Sequence, residues 1–272
     1  MDMFRDRIAI ITGAASGIGR AISEELARRG ATVVLSDVNA GLLEETTNSI
    51  AKAGHRAKAA TVNVTDHEAV KNLVDDTVKE YGRLDYIFNN AGITVVGETQ
   101  DFSCEDWRKV IEVNLFGVIN GVLASYPVMV KQGFGHIVNT ASLAGLIPAG
   151  GEISYTTSKY GIVGLSHALR VEGADLGVKV SVICPGFINT PIIYNSKTIG
   201  LDHQKMIAAI PGLLPVDECA REILHGVECN KATILITRLA KVLWPLHRIS
   251  PNFIIWLGKR FMRDIRKMRL EK

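Results

Sequence analysis

The chain has 272 residues, of which 47% are hydrophobic and 22% are charged. This length allows one large domain or two small ones around a substantial core, and the composition excludes a disordered chain. The net charge of +3 is unevenly distributed: residues 238–272 hold ten Lys/Arg and two Asp/Glu, or +8, which leaves 21 against 26, or −5, for residues 1–237.

The four cysteines are far apart in the sequence and form no C-x-x-C pair. We therefore expect neither a disulfide framework nor a zinc site, and the seven histidines show no ligand-like spacing. The N-terminus has no apolar segment of the kind found in secretory signals. These features predict a cytoplasmic protein without a bound metal.

The first 37 residues have the pattern of a β-α-β unit. Residues 8–11 are a short apolar run, typical of a buried parallel strand. A glycine-rich turn, a helical segment over 20–29 and a second apolar strand over 31–37 follow. Parallel strands joined in this way require a right-handed crossover.

Helices and strands continue to alternate along the chain. We expect helices near 40–53, 66–80, 105–131 and 155–176, and strands near 57–62, 84–88, 136–140 and 179–184. This alternation is typical of an α/β fold, with a mostly parallel sheet and helices on both faces. Since no linker interrupts it, residues 1–237 are predicted to form one doubly wound domain, and residues 238–272 a C-terminal extension.

Residues 113–130 carry no charge and have nearly the length of a membrane span. Four residues interrupt the apolar run: Asn114, Asn120, Ser125 and Pro127. We therefore interpret the segment as a buried interface helix.

Three glycines after the first strand, Gly13, Gly17 and Gly19, indicate a dinucleotide site. A side chain at any of them would obstruct the approach of the backbone to a pyrophosphate, or the packing of the helix that follows. Phosphates are favoured at a helix N-terminus by its unpaired N–H groups and its dipole. The spacing is G-x-x-x-G-x-G, and its place between a strand and a helix favours this interpretation over an ordinary tight turn.

Asp37 ends the second strand, 18 residues after Gly19, where a carboxylate can bind the ribose hydroxyls of an adenosine. The same charge would repel the 2′-phosphate of NADP, because two like charges about 4 Å apart cost about 4 kcal/mol at an effective dielectric of 20. Val38 and Asn39 bring no compensating cation, so we expect NAD in preference to NADP. Arg20 is near enough in sequence to reach such a phosphate, and a carboxylate that merely starts a turn is the alternative for Asp37.

Residues 89–92, Asn-Asn-Ala-Gly, directly follow the strand near 84–88. Small and amide-bearing residues at a strand end suit a loop that lines the cofactor crevice of an open α/β sheet. Asn and Gly also tolerate left-handed backbone conformations, so an ordinary turn is the other interpretation.

Tyr155 and Lys159 are one helical turn apart, which places a phenol beside an ammonium group. The ammonium makes the phenolate easier to form. Lowering the phenol pKa from about 10 to neutrality takes roughly 4 kcal/mol, more than one exposed lysine supplies. The pair alone therefore does not distinguish a catalytic site from an ordinary helix.

Together these segments resemble the short-chain dehydrogenase/reductase family over residues 5–237. The family motifs occur in the expected order. They are the cofactor motif T-G-x-x-x-G-x-G at Thr12, Gly13, Gly17 and Gly19, the N-N-A-G motif at 89–92, the catalytic Asn114 and Ser142, the Y-x-x-x-K pair Tyr155 and Lys159, and Pro185-Gly186 followed by Thr190.

The resemblance implies a Rossmann-type domain that transfers hydride between NAD and a carbinol or carbonyl carbon. Tyr155 would be the general acid or base, and Lys159 would lower its pKa and hold the nicotinamide ribose. Ser142 would stabilise charge on the substrate oxygen, and Asn114 would keep a water in a proton relay. The positive charge of the oxidised nicotinamide would add to that of Lys159 in favouring the phenolate.

The family often has an aspartate against the adenine where this chain has Asn63, whose amide can still form hydrogen bonds. We expect the dinucleotide to contact Thr12, Gly13, Ser16, Gly17, Ile18, Gly19, Asp37, Asn63, Val64, Asn90, Ala91, Gly92, Tyr155, Lys159, Pro185, Gly186, Ile188 and Thr190.

The segments that flank the catalytic groups, 93, 95–96, 144–148 and 187–194, contain no charged residue. A charged or heavily hydroxylated substrate would leave polar groups unpaired there. We expect a hydrophobic secondary alcohol or ketone, such as a steroid, retinoid or lipid. The alternatives are an NADP-dependent ketoreductase and a cofactor-bound sensor or scaffold without turnover. The expected substrate contacts are Ser142, Ala144, Leu146, Tyr155, Phe187 and Ile192.

The C-terminal extension has apolar residues at helical spacing from Phe253 to Met268, with basic residues on the other side. A basic amphipathic helix of this kind is typical of a membrane interface, and 251–270 is a predicted segment of peripheral membrane contact. A helix packed on its own domain or on a partner subunit is the alternative. The acidic body argues against nucleic-acid binding. By analogy with the family we expect a homodimer or homotetramer built through 113–130 and 155–176.

Overall fold

Seven parallel strands form the central sheet in the computed structural model, which describes residues 2–210 and 212–270. The predicted segments 1–237 and 238–272 include Met1, Pro211, Glu271 and Lys272, which lie outside the described residues. In chain order the strands are β1 (Ile8–Thr12), β2 (Thr32–Asp37), β3 (Ala57–Thr61), β4 (Tyr86–Asn89), β5 (Val95–Val96), β6 (Gly135–Thr140), β7 (Val178–Pro185), β8 (Lys197–Thr198) and β9 (Thr233–Ile236). Two of these strands, β5 and β8, lie outside the central sheet.

The helices lie on both faces of the sheet. They are α1 (Gly17–Arg28), α2 (Ala40–Lys52), α3 (His67–Tyr81), α4 (Cys104–Ile111), α5 (Gly117–Gln132), α6 (Ile153–Gly173), α7 (Pro191–Asn195), α8 (His203–Ala208), α9 (Val216–Glu228), α10 (Arg238–Ile249) and α11 (Pro251–Arg266). The predicted doubly wound α/β fold is confirmed.

The order of the main sheet is β3-β2-β1-β4-β6-β7-β9, and β5 and β8 pair separately. The chain first builds outward from β1 through β2 to β3, and then returns to place β4 on the other side of β1. A crevice forms at the carboxyl ends of the strands where the direction reverses, and ligands of open α/β sheets bind there.

Alternate residues of each strand face opposite sides of the sheet and pack into two hydrophobic cores. In β1, Ala9 and Ile11 face α1, α2 and α9, whereas Ile10 faces α3, α5 and α6. The central strands are therefore buried on both faces, which is why they appear in the sequence as continuous apolar runs.

The predicted helix over 105–131 is interrupted. A π-helical turn, Glu112–Phe116, joins α4 to α5 and contains Asn114. Taken as one element, Cys104–Gln132 is the single helix among the described residues that is long and apolar enough to cross a membrane, and half of its apolar window is buried inside the domain. The core helix of a domain has the same length and composition, so this finding is weak evidence for a span.

Other boundaries also differ from the prediction. Helix α1 begins at Gly17 and not at Arg20, because the glycine turn enters the helix directly. Strand β9 and helix α9 were not predicted: β9 has four residues, too few for a clear period.

His136 in β6 is a buried polar group with one partner. It is 3% exposed, and its Nε2 lies 2.8 Å from Ser181 Oγ, which donates to the carbonyl of Lys231 at 2.6 Å. Burial lowers the pKa of His136 to about 3, and the charges of Lys179 and Arg170 add to this. The imidazole is therefore neutral in the folded chain at physiological pH.

We expect His136 to weaken the fold in acid. Because its folded pKa of about 3 lies below the ordinary 6.5, the unfolded chain binds a proton that the folded chain excludes between these values. This residue alone should lower the free energy of unfolding by about 2 kcal/mol between pH 6.5 and 5. Urea denaturation at pH 7 and pH 5 should show a smaller loss in His136→Gln; equal losses would contradict the assignment.

Candidate active site

The carboxyl ends of four neighbouring strands bring the predicted motifs to one edge of the sheet. Thr12 ends β1, Asn89 ends β4, Thr140 ends β6 and Pro185 ends β7. The glycine turn, the 89–92 loop, the loop of Ser142 and the Pro-Gly turn leave from these ends. Motifs as far apart in sequence as Gly13 and Gly186 therefore meet in one crevice.

The glycine turn is packed as closely as a backbone permits. Gly13 and Gly17 have positive φ angles of 65° and 53°. A Cβ at Gly13 would lie 2.8 Å from the Cα of Ala91, and a Cβ at Gly19 would lie 2.2 Å from the Gly13 carbonyl oxygen. Ser16 precedes α1 without a side-chain hydrogen bond to the helix N-terminus. The first N–H groups of α1 are thus left for an anion, as a pyrophosphate site requires.

Thr12 and Asn90 fix the spacing of the three central loops. Thr12 Oγ1 accepts from the backbone N–H groups of Asn90 (2.9 Å) and Ala91 (3.1 Å). The Asn90 amide donates to the Thr12 carbonyl at 3.1 Å and accepts from Thr140 Oγ1 at 3.3 Å. The 89–92 loop is therefore a rigid wall of the crevice, more than a simple turn.

Asp37 braces the glycine turn. Its Oδ2 accepts from the N–H of Ala15 at 3.1 Å, and its Oδ1 accepts from the N–H of Asn39 at 3.0 Å. The carboxylate does start a turn, which was the alternative interpretation, but each oxygen keeps a further lone pair. Both oxygens can thus still receive hydroxyl donors.

Arg20 forms ion pairs with two carboxylates. Its Nε donates to Glu24 Oε1 at 2.8 Å, and its guanidinium lies 3.9 Å from Glu45 Oε1. An arginine paired in this way is less available to a 2′-phosphate, since the bound anion would also meet two negative charges.

The loop after β3 is held by α5. Asn120 Nδ2 donates to the Val64 carbonyl at 2.9 Å, and a Cβ at Gly117 would lie 2.7 Å from Val64 Cγ2. Asn63 is exposed, and its Oδ1 accepts from the Thr65 N–H at 3.1 Å. Val64 is thus fixed at the crevice edge, while the Asn63 amide N–H₂ remains at the surface.

Asn114 ties three segments together from the π-helical turn. Its Oδ1 accepts from the Ile93 N–H at 2.8 Å, and its Nδ2 donates to the Ile93 carbonyl at 2.9 Å and to Ser158 Oγ at 3.1 Å. A Cβ at Gly92 would lie 3.3 Å from Asn114 Oδ1 and 3.5 Å from Lys159 Nζ. π-Turns often mark functional sites, and this one directs a fully buried amide towards the lysine.

Lys159 is a buried ammonium at the centre of the site. It is 3% exposed, and its Nζ donates to the Thr140 carbonyl at 2.8 Å. Burial lowers its pKa to about 8. The Nζ lies 5.3 Å from the centre of the Tyr155 ring, so the predicted pair does share one helix face.

The groups around Tyr155 act on its acidity in opposite directions. Burial raises the pKa of Tyr155, the charge of Glu152 raises it further, and the hydrogen bond with Ser142 lowers it. Burial and the Glu152 charge outweigh the hydrogen bond with Ser142, so the pKa of Tyr155 in the described chain lies above its ordinary value.

Ser142 is held against the helix that carries Tyr155. Its Oγ accepts from the Ala144 N–H at 3.2 Å, at the start of a 3₁₀ turn, Leu143–Gly145. A Cβ at Gly145 would lie 2.6 Å from the Lys159 carbonyl oxygen. Glycine at this position therefore lets the serine loop rest directly on α6.

Glu152 is a functional candidate that the sequence analysis missed. It immediately precedes α6, is half-buried, and lies one helical turn before Tyr155. Burial raises the pKa of its carboxyl to about 7. Residues three or four positions apart on a helix are neighbours. This rule, which relates Tyr155 to Lys159, also relates Tyr155 to Glu152 and could have identified Glu152 from the sequence.

Leu146 and Ile188, which we expect to contact the ligands, lie in the hydrophobic cores. Leu146 is 7% exposed in the core below α5 and α6, and Ile188 is 4% exposed in the core below α1. Ala144 is also buried, whereas Phe187 and Ile192 are half-buried beside the crevice. Contact of these five residues with a ligand stays a prediction.

The Pro-Gly turn packs on the start of the C-terminal extension. A Cβ at Gly186 would lie 2.4 Å from Thr237 Oγ1, which accepts from the Ala240 N–H at 3.3 Å to cap α10. Within residues 2–210 and 212–270, no group of three or more His, Cys, Asp or Glu side chains has the arrangement of a metal site.

Comparison with known proteins identifies the family. The model of the family described as short chain dehydrogenase matches residues 7–198. The chain belongs to the short-chain dehydrogenase family. Since members of this family couple nicotinamide dinucleotides to CH–OH groups, it is an NAD(P)-dependent oxidoreductase.

Individual short-chain dehydrogenases agree in sequence and fold. Cyclohexanol dehydrogenase of Acinetobacter sp. (strain SE19) is 40% identical over 70% of this chain and 76% of its own length. The oxidoreductase SadH of Mycobacterium tuberculosis is 34% identical over 92% of each chain. The crystal structure of a short-chain dehydrogenase from Burkholderia phymatum in complex with NAD superposes with a TM-score of 0.85 and 29% identity, over 93% of this chain and 96% of the other.

Glu152→Gln should stabilise this short-chain dehydrogenase at alkaline pH. Because the folded pKa, about 7, lies above the ordinary 4.5, ionised Glu152 costs stability that accumulates as the pH rises from 4.5 through 7. We expect the melting temperature of the variant to exceed that of the wild type by on the order of 5 °C at pH 8.5, and by nothing at pH 4.5.

The control for this comparison is Glu44→Gln, which alters an exposed carboxylate on α2. Scanning fluorimetry across the pH range measures all three proteins. A constant difference between Glu152→Gln and the wild type at every pH would show that Glu152 does not titrate in this window.

Proposed function

We propose that the protein is an NAD-dependent dehydrogenase of hydrophobic secondary alcohols, with the reverse reduction of ketones at the same site. The observation that supports this most directly is the cluster formed by Tyr155, Lys159 and Ser142 at the carboxyl edge of the sheet, beside a glycine turn with an uncapped helix N-terminus. When bound, the dinucleotide supplies hydride transfer and, in its oxidised form, a positive charge.

The preference for NAD rests on charge. Asp37 offers free lone pairs at the end of β2, and Arg20 is paired with Glu24 and Glu45. A ribose with two hydroxyls gains hydrogen bonds at this carboxylate, whereas a 2′-phosphate meets a like charge there. The Thr12, Gly13, Asn90 and Thr190 segments would form the rest of the dinucleotide site.

Tyr155 is the proposed proton donor or acceptor for the substrate oxygen. Ser142 donates or accepts a hydrogen bond at the same oxygen and stabilises charge there. The ammonium of Lys159, held by the Thr140 carbonyl, stabilises the phenolate through the low-dielectric interior. Asn114 positions Ile93 and Ser158, and its proposed role is to keep a water of the proton relay behind the lysine.

The proposed substrate has an apolar body and few oxygens. Residues 144–148 and 187–194 carry no charged side chain, and Phe187 and Ile192 are half-buried beside the crevice. Outside these two segments, Glu152 supplies a carboxyl group near Tyr155, which can donate a hydrogen bond to, or accept one from, one further polar atom of the substrate. Relatives named cyclohexanol dehydrogenase and levodione reductase, the latter 37% identical, agree with compact apolar alcohols and ketones. Steroids, retinoids and lipids remain within this class.

A homodimer or homotetramer through α5 and α6 is part of the proposal. The outward sides of these helices and of the π-helical turn before α5 expose large apolar residues, with exposed fractions of 47% for Phe116, 56% for Leu123, 41% for Tyr160 and 79% for Val171. Apolar side chains on neighbouring helices of one face fit an interface between identical subunits. A cytoplasmic location stays a prediction.

Tyr155→Phe should abolish turnover and keep the cofactor site. The loss of the hydroxyl removes the only proposed proton donor, so kcat should fall by about 10³-fold or more, while the Kd for NADH changes by less than about threefold. Assays with cyclohexanol and longer alicyclic alcohols at pH 9, and with their ketones at pH 7, measure turnover; fluorescence titration measures NADH. Wild-type protein that binds NADH but converts none of these compounds would favour the sensor or scaffold.

Asp37→Asn should reduce the discrimination between cofactors. Without the carboxylate charge, NADH affinity should fall by about tenfold and NADPH affinity should rise, because about 1.4 kcal/mol corresponds to a factor of ten. Titration of the wild type and of Asp37→Asn with NADH and NADPH provides the measurement, with Asp76→Asn, which alters an exposed carboxylate on α3, as a control for charge alone. Tighter binding of NADPH than NADH by the wild type would overturn the assigned preference.

A further inference from the structure

Helix α11 is fixed to its own domain by one side. Ile254 and Ile265 are each 2% exposed, and Met262 packs against the 148–151 loop, where a Cβ at Gly150 would lie 2.6 Å from its Sδ. This observation agrees with the alternative that the extension packs on its own domain. It leaves open the use of the opposite side of the helix.

Ion pairs at the end of the helix strengthen this attachment. Arg266 Nε donates to Glu98 Oε1 at 2.7 Å, Arg269 also binds Glu98, and Arg269 Nη2 lies 2.9 Å from Asp101 Oδ2. Glu98 is 9% exposed, so its charge depends on these two arginines. The carbonyl of Met268 accepts from the Asp202 N–H at 2.8 Å. Helix α11 is therefore a folded part of the domain.

The opposite side of α11 is apolar in its first half. Phe253 and Trp256 stack with ring centres 5.8 Å apart and are 45% and 55% exposed. Leu257 is 38% exposed, and Ile249, at the end of α10, is 83% exposed. At about 100° per residue, Trp256 is diametrically opposed to Ile265, so this patch faces solvent. We call these four residues the outer apolar patch.

The same side is basic in its second half. Arg260 and Arg263 follow Trp256 by four and seven residues, and Lys259 lies beside them. All three are exposed, and none forms an ion pair with another residue of the described chain. Aromatic residues next to unpaired arginines on one helix side are the arrangement that binds at the boundary between lipid headgroups and acyl chains.

We propose that the outer apolar patch, with Lys259, Arg260 and Arg263, docks on a bilayer that contains anionic phospholipids. The inner side of α11 is already satisfied by the domain, so docking requires no unfolding. The apolar residues enter the headgroup boundary, and the three cations lie at the level of the phosphates.

A second copy of the chain fits this surface less well. In a two-fold symmetric contact whose axis passes through the basic half of this side, Arg260 and Arg263 of each copy would meet the same cations of the other, at a cost in like-charge repulsion. The exposed apolar faces of α5 and α6 carry no comparable cluster of cations and suit subunit contact better. Charge complementarity thus favours the anionic bilayer as the occupant.

The test is co-sedimentation of the full-length protein with large unilamellar vesicles of phosphatidylcholine, with and without phosphatidylserine. We expect stronger binding to the anionic vesicles, weakened by salt. Arg260→Gln/Arg263→Gln should lower the affinity for anionic vesicles by about fivefold for each charge removed. Phe253→Ser/Trp256→Ser should lower it by about tenfold or more.

Two matched control variants substitute exposed residues of the same type, cationic or apolar, outside α11. Lys52→Gln/Lys131→Gln removes two exposed cations, and Leu42→Ser/Leu176→Ser removes two exposed apolar side chains. Both should bind as the wild type does, and circular dichroism checks that every variant is folded. Equal binding of the wild type to neutral and anionic vesicles, or no loss in either tail variant, would overturn the proposal.

Sedimentation velocity tests whether a second copy of the chain, and not a bilayer, occupies this surface. If the two tail variants weaken self-association of the protein while the wild type binds no vesicles, this side of α11 is a contact between subunits and the bilayer assignment is wrong. Because these readouts measure binding alone, they are independent of the proposed oxidoreductase substrate.

Discussion

The burial of the Lys159 ammonium constrains the whole site. A charge that is 3% exposed needs a fixed partner, and the Thr140 carbonyl at the end of β6 supplies it at 2.8 Å. This bond fixes α6 relative to the sheet. The neighbouring segments can approach because glycines face them, Gly92 near the ammonium and Gly145 on the Lys159 backbone. The 89–92 loop, the Ser142 loop and α6 thus meet around one buried charge. The burial that lowers the pKa of Lys159 to about 8 also raises the pKa of Tyr155.

The fold, and the meeting of the glycine turn, the 89–92 loop and the Tyr155–Lys159 pair at one edge of the sheet, were predictable from sequence, because strong periodic signals specify the strands and helices. Buried parallel strands appear as apolar runs, and the glycines mark places where a Cβ would overlap another backbone. Asp37 was recognised from its place at a strand end. The sequence did not show that it would also brace the glycine turn through Ala15, since that bond depends on how the turn folds back on β2.

What escaped prediction depends on distant contacts or on subtle geometry. The π-helical turn that places Asn114 has no sequence period of its own, and β9 is too short to show one. Glu152 was missed because a carboxylate before a helix is normally solvated, and its depth follows only from the surrounding loops. For the extension, the helical period was clear from sequence, but the sequence did not show which side of the helix would pack on the domain and which would be exposed. The structure separates the two sides: one packs on the domain while the other remains exposed.

The attachment of the extension carries an evolutionary consequence. The family match ends at residue 198, yet Arg266 and Arg269 neutralise Glu98, and Met262 packs on Gly150 in the loop that follows Ser142. Glu98 and the 148–151 loop are therefore held by a segment that lies beyond the residues matched by the family model. Exchange of such extensions between homologues would leave Glu98 buried without a counter-ion. A homologue that lacks both arginines is therefore expected to lack the buried carboxylate at position 98 as well.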